Sequence, residues 1–411
     1  MSAATPKGAS AATPQGVSAA TPQGVSAATP QGASAATPQG VSAATRIGVL
    51  GGGQLGQMLG LAAIPLGLEC VFYDPTPDAP ARVAGRHVCA AWDDREALAR
   101  FAESVDVITF EFENVPTASL AFLASLRPVR PGVRSLELTC DRIREKEFLR
   151  DAGVPVQPFA SVDSQADLDL ALATVGPHGV LKTRTLGYDG KGQRVVRTAT
   201  ELAPAWNDLG CRPCIYEAFV PFDREVSVIA TRALDGSTVV YPIVENLHTH
   251  GILFRSIAPA RIPDALAAAA TRHARSVLEG LGHVGTLALE MFVADNTLVA
   301  NEIAPRVHNS GHWTMQGART SQFENHMRAV AGLPLGDAGV HGYAAMVNLI
   351  GGVPPVAEVL ALPGASAQYY GKSPRPGRKV AHMNVVASTR EELLARLEPL
   401  EALARRVNML A

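Results

Sequence analysis

The segment ALEMFVADNTLVANEI, residues 288–303, contains two runs in which apolar residues alternate with small or polar ones. Asp295 and Asn296 separate the runs, and this pattern predicts a β-hairpin. If the turn has three or five residues, Glu290 lies directly opposite Glu302 on one face, about 5 Å away. Facing carboxylates repel each other, and a hard divalent ion such as Mg²⁺, which binds carboxylate oxygens together with substrate phosphates, relieves the repulsion. The alternative is a solvated acidic pair on an exposed hairpin, but the segments described next favour a metal site.

A cluster of polar side chains follows the hairpin directly, in the segment NEIAPRVHNSGH at residues 301–312. Pro305 ends the strand, so Arg306, His308 and Asn309 are expected to project from a loop. A guanidinium with neutral donors suits a small planar anion, because bidentate hydrogen bonds match its geometry. A lone histidine is more often structural, but this cluster beside two carboxylates indicates a binding site.

A glycine-rich segment, VLKTRTLGYDGKGQ, spans residues 180–193. Lys182 ends a predicted strand, and the glycines follow within a few residues. Backbone N–H groups of such a loop can surround phosphate oxygens, since glycine permits close approach, and Lys182 adds a point charge. The segment is not a Walker A loop, because its Gly-Lys is not followed by Ser or Thr. A flexible surface hairpin is the alternative.

A basic segment, YGKSPRPGRK at residues 370–379, contains four cations within eight residues. Its Gly and Pro residues disfavour a helix. The segment is either a solvated loop or a binding site for the phosphate of a substrate.

The first predicted strand, Arg46–Leu50, leads into Gly51-x-Gly53-x-x-Gly56, and Asp74 ends the next strand. This spacing matches a dinucleotide fingerprint, so a nicotinamide-dependent dehydrogenase is an alternative function. The signal is weak by itself, because glycines at a strand-to-helix turn also serve other anions near a helix N-terminus. The rest of the chain contains no obvious constellation for hydride transfer.

Composition limits the class of protein. The chain has 411 residues, of which 47% are hydrophobic and 18% charged, and its formal net charge is −2. These values are typical of a globular protein of two or three domains and argue against nucleic acid or an anionic membrane as partner. No apolar run is long enough to span a membrane and no secretory signal is recognised, so a cytoplasmic protein is expected. Five scattered cysteines fit a reducing compartment, and the pair Cys211 and Cys214 has no second pair to complete a metal site.

Residues 1–45 form a separate region, because 2–41 consist of five octapeptide repeats, each with one Pro and one Gly. The repeats contain no apolar residue larger than Val, so we predict a disordered tail. Alternating strand and helix signals predict a parallel α/β domain at 46–140. A helix from Asp141 to Ala152 opens a second domain at 141–335. A smaller domain at 336–411 is rich in strand signals and is predicted to end in a helix near 391–397, before Pro399.

Together these segments resemble the ATP-grasp superfamily and, within it, the 5-(carboxyamino)imidazole ribonucleotide synthetase family of purine biosynthesis. The resemblance covers roughly residues 46–386 in the family's order. The motifs that carry it are GGGQLG at 51–56, EFEN at 111–114, Asp141-Arg142 with Lys146 and Gly153-Val-Pro155, GYDGKG at 187–192, NEIAPRVHNSGH at 301–312 and RPGRK at 375–379.

The resemblance implies an α/β and α+β chain with the ATP-grasp fold, an N-terminal preATP-grasp (Rossmann-like) domain and a small C-terminal domain. It also implies a homodimer. The implied reaction converts ATP, bicarbonate and 5-aminoimidazole ribonucleotide to 5-(carboxyamino)imidazole ribonucleotide, ADP and phosphate through carboxyphosphate. Another ATP-grasp ligase, such as a formate-using glycinamide ribonucleotide enzyme, is the alternative.

The resemblance also implies a role for individual residues. The metal ligands for Mg²⁺ are Glu290 and Glu302. The residues at the reacting groups are Arg306, His308, Asn309, Asp189 and Lys191. ATP contacts are expected from Arg142, Lys182, Gly187, Tyr188, Asp189, Gly190, Lys191, Gly192, Gln193, Glu217, Val220, Glu225, His248, Asn301 and Glu302. The amine substrate is expected at Gln54, Leu55, Glu113, Tyr188, Lys372 and Arg378.

Overall fold

The computed structural model describes residues 44–185, 187 and 192–409. The octapeptide repeats and the predicted site residues Tyr188, Asp189, Gly190 and Lys191 lie outside the described residues. The helices are α1 (Gln54–Ala63), α2 (Arg95–Glu103), α3 (Thr117–Ala124), α4 (Val133–Thr139), α5 (Arg142–Asp151), α6 (Asp167–Val175), α7 (Leu202–Asp208), α8 (Asp264–Leu281), α9 (Thr314–Gly317), α10 (Gln322–Ala331), α11 (Val356–Leu360) and α12 (Arg390–Val407). The strands are β1 (Arg46–Leu50), β2 (Glu69–Tyr73), β3 (Arg86–Val88), β4 (Val107–Phe110), β5 (Phe159–Val162), β6 (Gly179–Thr183), β7 (Gln193–Val196), β8 (Cys214–Ala218), β9 (Arg224–Arg232), β10 (Thr238–Val240), β11 (Val244–Thr249), β12 (Ile252–Ala258), β13 (Gly285–Ala294), β14 (Thr297–Ala304), β15 (Tyr343–Ile350), β16 (Ala365–Tyr369) and β17 (Lys379–Ala387).

The N-terminal domain is built on a parallel sheet with strand order β3-β2-β1-β4. Strand β1 is central, and its residues Ile47, Val49 and Leu50 are fully buried. A strand covered on both sides needs such an apolar run, and the prediction of a parallel α/β domain is confirmed. Because the strands are parallel, the turn after β1 and the residues after β4 meet at one edge of the sheet.

Two further sheets build the rest of the chain. A four-stranded antiparallel sheet has the order β5-β8-β6-β7 and contains the glycine-rich hairpin. A nine-stranded sheet has the order β14-β13-β9-β11-β12-β15-β17-β16, and β10 pairs with β9. The C-terminal strands therefore extend the sheet of the preceding domain, so the boundary predicted near residue 335 does not coincide with a break in hydrogen bonding. The domain boundaries stay predictions.

The hairpin β13–β14 differs from the prediction in its turn. Ala294 pairs with Thr297, so the turn has two residues, Asp295 and Asn296, whose φ angles are +47° and +56°. Positive φ at both positions is typical of a type I′ turn, which Asp and Asn tolerate. The break at Asp295 and Asn296 is where the sequence indicated it, but the condition of a three- or five-residue turn, under which the two glutamates were expected to be opposed, is not met. Glu290 nevertheless pairs with Glu302, because the register shifts at Glu290/Met291 and leaves Asn301 as the additional residue of a β-bulge.

Two helices test the predicted helix ends. Helix α5 begins after Asp141, whose side chain accepts hydrogen bonds from the N–H groups of Ile143 and Arg144 and caps the helix, in agreement with the predicted helix start. The last helix was predicted to stop before Pro399, and this prediction is wrong, since α12 continues to Val407 with Pro399 inside it. Leu393, Leu397, Leu400 and Ala404 are buried against the C-terminal strands, and this packing outweighs the hydrogen bond lost at proline.

Candidate active site

The candidate site is a cavity of about 850 Å³ that is lined by residues of the N-terminal domain, of the segment 139–309 and of the basic segment 370–379. Eleven of the predicted site residues line it, namely Gln54, Leu55, Glu113, Arg142, Gly187, Glu302, Arg306, His308, Asn309, Lys372 and Arg378. Arg375 and Lys379 of the basic segment line it as well, which rules out a loop that only faces solvent. The tertiary structure thus brings the hairpin, the glycine-rich segment and the basic segment to one space.

The facing glutamates are held by different partners. His308 Nε2 lies 3.2 Å from Glu290 Oε1, and Arg142 Nη1 donates to Glu302 Oε2 over 2.9 Å. Burial and the neighbouring charge of Glu302 raise the pKa of Glu290 to about 7. Burial also acts on Glu302, but Arg142 outweighs it and lowers the pKa of this carboxyl. The negative charge at Glu290 is therefore incompletely balanced by the protein, which fits an additional cation at this pair.

A site of two carboxylates is enough for Mg²⁺, which takes its other ligands from phosphates and water. No group of three or more His, Cys, Asp or Glu side chains that could hold a metal occurs among the described residues. The glutamate pair offers carboxylate oxygens, which are the ligands that Mg²⁺ prefers.

His308 has a defined tautomer in this arrangement. Its Nδ1 accepts a hydrogen bond from the Ser310 N–H at 3.3 Å, so the proton resides on Nε2, which points to Glu290. Burial holds the pKa of His308 well below its usual value, with Arg306 adding to the effect. The neutral ring can therefore act as a hydrogen-bond donor without bringing a positive charge.

Asn309 and Arg306 border the same space. Asn309 and Asn348 of strand β15 exchange two amide hydrogen bonds, at 3.1 and 2.6 Å, which fix the Asn309 side chain. Arg306 forms an ion pair of 2.8 Å with Glu113 and donates to the Val307 carbonyl. Its buried Nε has no hydrogen-bond partner among the described residues. An unpaired buried guanidinium N–H is costly, and a small anion in the cavity could accept this bond.

Lys182 and Glu217 form a buried ionic cluster with Lys146. The Glu217 carboxylate is 1% exposed, with Lys182 at 2.6 Å and Lys146 at 3.0 Å. Burial opposes the charge on Glu217, but the two ammonium groups lower its pKa to about 2. The Glu217 side chain is thus occupied by lysines, so its contact with a nucleotide would involve the backbone at the end of β8. Asn301 Oδ1 lies 3.5 Å from Lys182 Nζ.

The described C-terminal part of the glycine-rich segment pairs with the end of β6. Gln193 pairs with Lys182, and the Thr183 N–H donates to the Gly192 carbonyl over 2.8 Å. Gly192 has a φ of +72°, and a Cβ there would lie 2.7 Å from the Thr183 hydroxyl. Both the conformation and the space therefore require glycine at this position.

The remaining predicted nucleotide residues lie on neighbouring strands or at their ends. His248 Nδ1 and Glu225 Oε2 are 2.7 Å apart, and each side chain is 23% exposed. Burial opposes the charge on His248, but the bond to Glu225 outweighs it and raises the pKa of the ring. Val220 is partly buried just after β8. These residues do not line the described cavity, whereas Gly187 does.

The glycines after β1 surround a side chain of the protein. Glu111, which follows β4, accepts hydrogen bonds from Gly53 N at 2.8 Å and Gly56 N at 3.1 Å. A Cβ on Gly53 would lie 2.6 Å from Glu111 Oε1. Asp74 accepts from Gly52 N at 2.8 Å. A carboxylate thus occupies the position in which the dinucleotide fingerprint would bind phosphate, so the dehydrogenase prediction is not supported.

The described residues expected to bind the amine substrate all line the cavity, and two of them, Gln54 and Lys372, contact each other. Lys372 donates to the Gln54 side-chain oxygen, and the Arg378 guanidinium donates to Ser373 O. Burial lowers the pKa of Lys372 to about 8, although Glu111 opposes this shift. Leu55 borders the cavity, but its side chain belongs to the apolar core of the first domain. Any substrate contact of Leu55 would therefore use its backbone.

Glu145 and Lys146 were not assigned a role from the sequence, although Lys146 belongs to a motif of the resembled family. Both are 2% exposed or less, and they lie on the same helical face as Arg142 and the buried Leu149. The sequence signal that could have identified them is their spacing. Arg142, Glu145, Lys146 and Leu149 follow the i, i+3, i+4, i+7 pattern of one helix face, and this face is buried. Glu111 was likewise missed as the internal ligand of the glycine turn.

Other predictions concern the whole chain. All five cysteines are free thiols, as expected from their spacing. Among the described residues, no helix is long and apolar enough to cross a membrane.

Three domain families match the sequence in order. A ribonucleotide synthetase preATP-grasp domain matches residues 44–140, an ATP-grasp domain matches 147–323, and a phosphoribosylaminoimidazole carboxylase C-terminal domain matches 344–396.

Full-length relatives give the same assignment. The N5-carboxyaminoimidazole ribonucleotide synthase of Pseudomonas aeruginosa is 52% identical over 352 residues, which cover 86% of this chain and 97% of that protein. The crystal structure of the corresponding synthetase from Thermus thermophilus has a TM-score of 0.84 at 49% identity, covering 87% of this chain and 98% of the other. The Aspergillus clavatus synthase in complex with ADP and 5-aminoimidazole ribonucleotide has a TM-score of 0.82 at 31% identity, covering 89% and 100%. This chain therefore belongs to the N5-carboxyaminoimidazole ribonucleotide synthase family of ATP-grasp ligases.

Proposed function

We propose that this cavity joins bicarbonate to the amine of 5-aminoimidazole ribonucleotide at the expense of ATP. The observation that carries the proposal is the pair Glu290 and Glu302, of which Glu302 lines the same cavity as the basic residues Lys372, Arg375 and Arg378. The glutamate pair suits a metal-bound triphosphate, and the basic residues suit the phosphate of the second substrate. The chain is an ATP-dependent carbon–nitrogen ligase by family, and the site supports this reaction.

The first step is the transfer of the γ-phosphoryl group. A bicarbonate oxygen attacks the γ-phosphorus, the bond to the β-phosphate oxygen breaks, and carboxyphosphate and ADP result. Glu290 and Glu302 would hold Mg²⁺, which neutralises charge on the phosphates when it is bound. Arg306, His308 and Asn309 would orient bicarbonate, and the unpaired Nε of Arg306 supports this role because it lacks an acceptor.

The nucleotide is bound between the two lobes that contain β6 and β14. Lys182, Arg142 and Asn301 lie near the phosphates, and the hairpin with Gly187, Gly192 and Gln193 closes over them. Glu217, Val220, Glu225 and His248 border the base and ribose. Closure matters because carboxyphosphate reacts with water, and a closed loop excludes water.

The second step forms the carbon–nitrogen bond. The amine attacks the carboxyl carbon of carboxyphosphate, inorganic phosphate leaves, and the amine loses one proton. Gln54, Leu55, Glu113, Lys372 and Arg378 border the amine substrate. Tyr188, Asp189 and Lys191, which lie outside the described residues, complete this set, and Asp189 is the proposed acceptor of the proton.

Two properties of the whole protein belong to the proposal. A homodimer follows from the family resemblance, and light scattering of the purified chain measures it. A cytoplasmic location agrees with five free thiols in a chain of 411 residues, because unpaired cysteines persist in a reducing compartment.

A substrate-omission assay tests the reaction. Phosphate release should require both bicarbonate and 5-aminoimidazole ribonucleotide, and removing either should reduce it to background. Phosphate release that ignores bicarbonate but depends on formate and glycinamide ribonucleotide would replace this assignment with the alternative ligase.

A further inference from the structure

Strand β14, which contains Asn301 and Glu302, is the edge of the nine-stranded sheet, and in the described structure it pairs with β13 alone. One row of its backbone groups therefore has no partner strand, and such groups need other hydrogen bonds when they are buried. The bulge at Asn301 adds a further interruption, because the extra residue of a bulge is left out of the ladder.

Helix α5 satisfies these groups with charged side chains. The Lys146 ammonium donates to the carbonyl of Ala300 at 2.9 Å and to the carbonyl of Asn301 at 2.7 Å. One residue earlier on the helix, Glu145 Oε1 accepts from the Ile303 N–H at 2.6 Å. The carbonyls of the two peptide groups that flank Asn301 are thus bound by a single cation.

The bulge decides which face Glu302 occupies. The two-residue turn pairs Val293 with Leu298 and Met291 with Ala300, so an unbroken ladder would place Asn301 opposite Glu290. Side chains alternate between the faces of a strand, so Glu302 would then point away from Glu290. Because of the one-residue shift, Glu302 faces Glu290, and Arg142 of the same helix holds its carboxylate.

Burying the Lys146 ammonium costs desolvation free energy that an apolar side chain at this position would not cost. Its side chain is 1% exposed, and it forms an ion pair with Glu217 at 3.0 Å, a carboxylate that Lys182 also binds. A buried ion pair often stabilises no more than apolar residues of similar volume. An ammonium aimed at two consecutive carbonyls is therefore better explained by the geometry that it imposes on β14.

We propose that Lys146 is a positioning residue for the metal site: it stabilises the bulge at Asn301 and thereby keeps Glu302 opposite Glu290. This inference rests on the proposed role of the two glutamates as ligands of Mg²⁺. Lys146 itself contacts neither carboxylate of that pair in a hydrogen bond, and acts through the backbone of β14. Residues that support metal ligands from behind typically change metal affinity by about 10- to 100-fold when they are replaced.

The test compares Lys146→Met with Leu149→Ala by calorimetry of ADP binding, with and without Mg²⁺. Leu149 lies on the same helix and is fully buried, so its truncation weakens the packing of α5 without removing a bond to the bulge. The measured ratio is the ADP dissociation constant without Mg²⁺ divided by the constant with Mg²⁺. It reports the metal site independently of turnover. We expect Lys146→Met to reduce this ratio by about tenfold or more, and Leu149→Ala to preserve it.

Lys146→Met leaves Glu217 with one cation fewer, so the variant could fail to fold. The double variant Lys146→Met with Glu217→Gln removes that unbalanced charge. Glu217 is also a proposed nucleotide contact, but a change in ADP affinity that is the same with and without Mg²⁺ cancels in the ratio of dissociation constants. A ratio within about twofold of the unmodified protein in either folded Lys146 variant, or an equal loss in Leu149→Ala, would overturn the inference. So would failure of both Lys146 variants to fold, since Lys146 would then act on folding. A ratio near one in the unmodified protein would instead remove the metal role of the glutamates, and this inference with it.

Discussion

Glu290 and Glu302 are direct cross-strand partners, although the turn between their strands contains two residues and not three. The additional residue is Asn301, in the strand itself. The opposition of the two proposed metal ligands thus depends on an irregularity of β14 and not on the length of the turn.

Replacing either glutamate by glutamine should abolish turnover. Glu302→Gln keeps the size of the side chain but removes the charge that binds Mg²⁺, whose stabilisation of phosphoryl transfer is worth several kcal/mol. We expect phosphate release to fall by about 100-fold or more. Glu391→Gln, on the exposed start of α12, is the control and should retain activity. Near-normal phosphate release by Glu302→Gln would contradict the metal assignment.

Gly192 should tolerate alanine poorly. Gly67 has a similar φ of +69° but free space around it, whereas a Cβ at Gly192 also meets the Thr183 hydroxyl at 2.7 Å. Gly67→Ala should therefore cost only the strain of a left-handed residue, about 1–2 kcal/mol of unfolding free energy. Gly192→Ala should in addition lower the rate of phosphate release, because it displaces the hairpin. Urea unfolding and the phosphate assay measure both effects, and equal behaviour of the two variants would refute the steric argument.

Acid should destabilise the junction between the first and second domains. His326 bonds Thr109 and the Thr286 N–H, and His283 bonds Ser135. Burial lowers the pKa of His326 to about 3 and of His283 to about 4. Both are neutral when folded but take up protons when unfolded, so their contribution is complete above about pH 6.5. It is lost as the pH falls toward 4 for His283 and toward 3 for His326, by up to about 1.4 kcal/mol per pH unit for each ring.

The measurement is unfolding free energy against pH for His326→Asn, which should show a shallower decline below about pH 6.5 than the unmodified protein. His341→Asn, at an exposed position, is the control and should leave the slope unchanged. An unaltered slope in His326→Asn would show that other groups cause the acid sensitivity.

Glu111→Gln should disturb the amine-substrate wall. The amide keeps one acceptor for two backbone N–H groups and turns its own N–H₂ toward the other, which costs about 1–3 kcal/mol. Because Gln54 lies within this turn and contacts Lys372, we expect the KM for 5-aminoimidazole ribonucleotide to rise while the KM for ATP is unchanged. Asp74→Asn makes the matched change on the far side of the turn, where Asp74 bonds Gly52 N and Thr76 N. An equal rise in that control would mean that the effect is not local.

Affinity for the amine substrate should weaken at alkaline pH. Lys372 has a pKa lowered to about 8 by burial, so it is cationic below that pH and loses its charge as the pH rises through it. The KM for 5-aminoimidazole ribonucleotide is therefore expected to increase above pH 8. In Lys372→Arg the increase should disappear, because guanidinium stays protonated. A pH profile that is identical in Lys372→Arg would exclude Lys372 as its origin.

Several elements could be predicted from the sequence because their signals are local. The parallel strands Arg46–Leu50 and Glu69–Tyr73 and the start of the helix at Asp141 follow from apolar runs and capping chemistry. Alternation predicts the β13–β14 hairpin, but the pairing of Glu290 with Glu302 also requires the bulge at Asn301. The wrong prediction at Pro399 has a non-local cause, since the burial of α12 on the C-terminal strands overrides a helix-breaking residue.

The sequence by itself determined the class of chemistry, since carboxylates, glycine turns and clustered cations limit which ligands a site can bind. Only the tertiary structure decided which of these groups bind other parts of the protein and which remain for a ligand. Glu111 fills the glycine turn that would otherwise bind a dinucleotide, and Lys146 and Glu145 bind the backbone that aims Glu302. The physical reason is that a buried charge or an unpaired backbone group must find a partner wherever the fold provides one, and the distance between partners along the chain, here up to 158 residues, leaves no local trace.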